Sequence, residues 1–64
     1  MKLNEVNVFP RVYNVIDAID PRFTIGGEIK VCHVGENLLL IAIGSGLAFQ
    51  LTKDEAKHIT VQSR

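Results

Sequence analysis

The 64-residue chain has one cysteine, no tryptophan, only two prolines and no surplus charge, seven Lys and Arg standing against seven Asp and Glu. Each shortage removes a class of protein. One cysteine cannot close an internal disulfide, which excludes a small scaffold stapled by disulfides and leads us to expect a reducing, cytoplasmic location. Zero net charge removes the usual electrostatic basis for nonspecific binding to nucleic acid or an anionic membrane, which rests on clustered cations. Here the cations Lys2, Arg11, Arg22, Lys30, Lys53, Lys57 and Arg64 are dispersed. The longest uncharged stretch, sixteen positions between Glu36 and Lys53, is broken by Gly44, Ser45 and Gly46, whereas a spanning helix takes about 20 mostly apolar residues. No membrane association is expected. The first nine residues show neither the long apolar stretch nor the small-residue cleavage site of a signal peptide, so no leader is expected.

With 47% apolar residues and no net charge the chain is not of disordered composition. Its length allows one domain, residues 1–64, near the size where a single core gives marginal stability. Residues 3–9 alternate loosely, as in a short edge strand. Pro10 opens a segment in which Val12, Tyr13, Val15, Ile16 and Ile19 approach the i, i+3, i+4, i+7 stripe of a helix, ended by Asp20 before Pro21. Its β-branched residues keep a strand as the alternative.

From Phe23 to Val34 the pattern is extended. Gly26 and Gly27 mark a turn or bulge, after which Ile29, Val31 and His33 share one face and Glu28, Lys30, Cys32 and Val34 the other. Gly35, Glu36 and Asn37 form a hairpin loop, and Leu38 to Ile43 is apolar at all six positions, the mark of a strand covered on both faces. After the Gly44-Ser45-Gly46 turn, Leu47 to Leu51 reads as a third strand. Thr52 and Glu55 have capping-box spacing and start a short final helix reaching about His58 or Ile59. The expected fold is α+β: an N-terminal helix, a three-stranded antiparallel meander and a short C-terminal helix.

Two short helices cannot cover both faces of such a meander. A second copy of the chain is the simplest cover, because small scaffolds often need help beyond their own buried area. The sequence therefore predicts a homodimer that self-associates through Leu38, Leu40, Ile41 and Ile43.

Catalytic chemistry is thinly represented. Cys32 and His33 are adjacent, so on a strand they point to opposite faces and cannot form a thiolate–imidazole pair. Cys32, His33 and His58 lack the spacings of a metal site, and neither glycine cluster opens a helix as a phosphate-binding loop does. No catalytic residue, metal or cofactor is expected.

The helix-strand-strand-strand-helix order resembles that of double-stranded RNA-binding domains, and Thr52-Lys53-Asp54-Glu55-Ala56-Lys57 resembles their basic second helix, although Asp54 and Glu55 stand among its lysines. The run Ile25-Gly26-Gly27-Glu28-Ile29, then Asn37 before an aliphatic strand, then Phe49-Gln50-Leu51-Thr52-Lys53-Asp54-Glu55 resembles the strand order of the carbon-storage-regulator family of RNA-binding dimers. The arginine-rich first strand of that family is missing, so no RNA contact is carried over. The expectation is a small non-enzymatic protein that binds another protein, a modulator or inhibitor of the kind phages and mobile elements encode. Phe9, Arg11, Tyr13, Arg22 and Phe23 are the expected partner-binding residues, since aromatics and arginine anchor interfaces, with a place in the core as the equal alternative for Phe23 and for Phe49. A nucleic-acid-binding regulator is the alternative.

Overall fold

A computed structural model describes residues 1–44 and 46–64; Ser45, expected in a turn, lies outside the described residues. The chain forms five strands, β1 (Arg11–Ala18), β2 (Glu28–Val34), β3 (Leu38–Ile43), β4 (Ala48–Thr52) and β5 (Ile59–Ser63). All neighbours are antiparallel, in the order β4-β3-β2-β1-β5. A 3₁₀ turn, Leu3–Glu5, precedes β1, and one short helix, α1 (Lys53–Ala56), joins β4 to β5.

This overturns the expected helix, three-stranded meander, helix. The segment after Pro10 is strand β1, and it lies between β2 and β5. Of its apolar residues only Tyr13 and Val15, two positions apart, are buried, while Ile16 is 47% and Ile19 83% exposed. The apparent helical stripe thus mixes core and surface positions. β-branched Val12, Val15 and Ile16 suit an extended backbone, and pairing on both sides settles the conformation. The expected edge strand at 3–9 is instead the 3₁₀ turn, with a single bridge from Lys2 to Thr60. The expected terminal helix stops at Ala56 and gives way to β5.

The core is one apolar layer on the inner face of this curved sheet. It takes Tyr13 and Val15 from β1, Ile29 and Val31 from β2, Leu39 and Ile41 from β3, Leu51 from β4, and Ile59 and Val61 from β5. Leu3, Val6, Phe23 and Ala56 close it. The Tyr13 hydroxyl donates to the Val8 carbonyl at 3.2 Å, which satisfies a buried polar group and fastens the N-terminal segment over the core. At Gly26 the loop between β1 and β2 takes φ +85°, and its N–H donates to the Val15 carbonyl at 2.7 Å; a left-handed residue there favours glycine. α1 starts from a complete capping box, with the Thr52 hydroxyl accepting from the Glu55 N–H and the Glu55 carboxylate accepting from the Thr52 N–H.

Two bulges re-aim the strands. The β2–β3 register shifts between Val31 and His33, so Cys32 is the extra residue and His33 pairs with Leu40. His33 is thereby turned away from the side of Ile29 and Val31. The β1–β5 register shifts between Val15 and Asp17, leaving Ile16 on the surface.

Leu51→Ala deletes side-chain volume at a fully buried site and should cost about 2–5 kcal/mol, a large part of the roughly 3–10 kcal/mol available to a domain this size. Leu40→Ala on the outer face should cost about 1 kcal/mol or less. Urea titration of the two variants checks the difference; equal losses would contradict the assignment of inner and outer faces.

Candidate functional site

The apolar run of β3 alternates from Leu38 to Ile41, with Ala42 and Ile43 both partly buried. Leu39 and Ile41 are 1% and 0% exposed, whereas Leu38 and Leu40 are 40% and 37% exposed on the other face. The strand is therefore covered on one face by its own chain, not on both. The bulge at Cys32 sets His33 beside Leu40, and the Phe9 ring meets the His33 ring edge to face, with centroids 5.4 Å apart. Phe9 and His33 are both exposed. Leu38, Leu40, His33 and Phe9 thus place apolar and aromatic surface on the outside of the β2–β3 hairpin, with Gln50 of β4 paired to Leu40 at its margin.

A second cluster lies on the loop between β1 and β2. Arg22 donates to both Asp20 carboxylate oxygens, Nε to Oδ1 at 3.0 Å and Nη2 to Oδ2 at 2.5 Å, and Nη2 also donates to Glu55 Oε2 at 2.9 Å. The same guanidinium lies 4.9 Å from the centre of the Phe49 ring, and Phe49 meets Phe23 edge to face at 5.7 Å. Arg22 thereby ties the loop to α1 and to β4. Ile19, Asp20, Pro21, Arg22, Glu55 and His58 line an open groove beside it.

The charges at this cluster are shifted accordingly. Hydrogen bonds from the Arg22 side chain hold the Asp20 carboxyl below its usual range. The Glu55 carboxyl is lowered first by the Thr52 N–H, then by the Thr52 hydroxyl and by the Arg22 charge. The Arg22 guanidinium is raised by its bonds to Asp20.

Of the five residues expected to bind a partner, Phe9, Arg11 and Arg22 are exposed. Tyr13 and Phe23 are 2% and 6% exposed, members of the core: β1 alternation turns Tyr13 inward, which corrects its assignment to the surface, and Phe23 packs on Phe49, the core alternative held for it. Of the four expected to self-associate, Leu38 and Leu40 are open, Ile41 is enclosed and Ile43 is partly buried against the core. Sequence reasoning missed His33 as a surface residue, because a strict period of two assigned it to the side of Val31. The Cys32 thiol is partly buried and lies 3.8 Å from the Lys30 carbonyl oxygen. Among the described residues no three His, Cys, Asp or Glu side chains converge on a metal-sized site, and no helix is long and apolar enough to cross a membrane.

The lowered carboxyls fix a sign for pH dependence. A carboxyl whose folded-state pKa is depressed adds stability above the ordinary carboxylate range, and that stability is lost as pH falls through the depressed value. Wild type should therefore lose stability as pH drops below the carboxylate range, and Arg22→Ala should lose less over the same interval. Thermal melts of both proteins from neutral to strongly acidic pH check this; parallel profiles would contradict the ion-pair assignment.

No known protein family, curated protein or solved structure matches this chain.

Proposed function

We propose that the chain is a small non-enzymatic protein-binding module, a modulator or inhibitor, whose contact surface is the outside of the β2–β3 hairpin. The observation behind this reading is the exposed pair Leu38 and Leu40 on a strand with no charged residue, next to the edge-to-face rings of Phe9 and His33. Apolar side chains grouped on a rigid strand desolvate at little entropic cost, and an aromatic beside them is the usual anchor of a protein interface. Polar Gln50 and Glu36 flank the patch, in keeping with a dry centre and a wet rim. The cytosol belongs to the same reading, since Cys32 has no second cysteine in the sequence to pair with.

The chemistry of the surface favours a protein over a nucleic acid. On the outer side of β2 and β3 the one Lys or Arg is Lys30, paired with Ala42, and Glu28 shares that side, so phosphate neutralisation has little source there.

Leu40→Glu sets a charge at the centre of the patch and leaves the core intact. In pull-downs from nuclease-treated host extract, wild type should retain a specific protein at about 0.5 M salt, where contacts to phosphate would have weakened greatly. L40E should lose that protein while melting near the wild-type temperature. Retention that survives L40E, or that disappears with nuclease or salt, would contradict the proposal.

A further inference from the structure

We infer that the outer edge of β4 is a self-pairing edge, and that two copies of the chain join there, antiparallel, into a continuous ten-stranded sheet with its two-fold axis at Phe49. The Ile43 N–H donates to the Leu47 carbonyl at 2.9 Å and the Lys53 N–H to the Asn37 carbonyl at 3.0 Å. With the unbroken register between β3 and β4, these bonds fix the parity: the odd residues 47, 49, 51 and 53 turn their backbone groups toward β3, and Ala48, Gln50 and Thr52 turn theirs outward. The Thr52 N–H is taken by the Glu55 carboxylate of the capping box. Among the described residues nothing takes the N–H or C=O groups of Ala48 and Gln50.

The two edges of the sheet are treated differently. Beyond β5, Lys2 bridges to Thr60 and the Val61 N–H donates to the Met1 carbonyl at 2.8 Å, so that edge is covered by the N-terminus. β4 has no such cover, and from Gly44 to Thr52 the sequence offers no lysine, proline or other charge of the kind that protects an edge from pairing.

A second copy completes this edge in one register. Centring the axis on Phe49 sets Ala48 opposite Gln50 of the other copy, and each such pair exchanges two hydrogen bonds. All four free groups of each chain are then satisfied, and the Thr52 N–H keeps its Glu55 partner. Centring on Gln50 would instead require that N–H to leave the cap. In the Phe49 register the two partly buried Phe49 residues face each other directly, and Leu47, 66% exposed, lies beside the second copy's strand on the inner side. No charge between Gly44 and Thr52 meets its own image across the axis. This pairing rests on the edge alone and is independent of the Leu38–Leu40 contact face.

Sedimentation equilibrium of the full chain from low micromolar to millimolar concentration tests it. Wild type should dimerise. Gln50→Pro removes an N–H that makes no bond to β3, so the monomer stays folded and the dimer dissociation constant should rise more than tenfold. Leu40→Glu should leave dimerisation unchanged. The register is read in a Cys32→Ser background: an equimolar mixture of Ala48→Cys and Gln50→Cys chains should cross-link on mild oxidation, because paired α-carbons about 5.5 Å apart lie in disulfide range. Q50C alone should not cross-link. A monomer at every concentration, a dimer that survives Q50P but is lost in L40E, or Q50C chains that cross-link to themselves would each overturn the inference. If Q50P fails to fold, the cross-linking result decides alone.

Discussion

The row Val31–Ile41–Phe49, running from β2 through β3 to β4, is the contact on which the remainder of the molecule depends. Burying Val31 and Ile41 fixes the register of three strands. Slipping any one of them by a residue would turn its apolar set outward. The same constraint determines the surface. Because side chains alternate, placing Leu39 and Ile41 inside forces Leu38 and Leu40 outside, so the exposed patch follows from the core and does not arise separately. In a domain this small, folding leaves little margin to hide those two leucines under elements of its own.

Arg22 makes a second, smaller connection. Asp20, Glu55 and the Phe49 ring hold one guanidinium, so a loop, a helix start and an edge strand meet at one side chain. Exposed ion pairs contribute little individually. The network's value lies in fixing the loop that carries Phe23 into the core.

Local chemistry was legible in the sequence where residues act within a few positions of one another. The Thr52–Glu55 capping box marks the start of α1, and the apolar run from Leu38 to Ile43 marks a strand. What depends on distant partners was not legible. β1 reads as a helix because Val12, Ile16 and Ile19 mimic a stripe, and only the flanking strands β2 and β5 impose the extended form. β5 did leave a trace, the alternation of Ile59 and Val61 with Thr60 and Gln62, but the last element expected was a helix reaching about His58 or Ile59, and no strand was expected after it. The bulge at Cys32 has no local signature, and it alone decides that His33 joins Leu40 at the surface. Tyr13 shows the converse, since residue type suggested an interface and tertiary packing used it as core; for Phe23, packing decided between the two readings that residue type left open.

The central claim is that one face of the sheet holds the fold and the opposite face meets the partner. Methyl and aromatic NMR shifts, followed while the retained protein is titrated into isotope-labelled chain, test it most directly. The account predicts that Leu38, Leu40, Phe9 and His33 respond while Leu39, Ile41 and Leu51 stay in place. Responses confined to Ile19, Arg22 and His58 around the loop groove, with the β3 leucines silent, would contradict it.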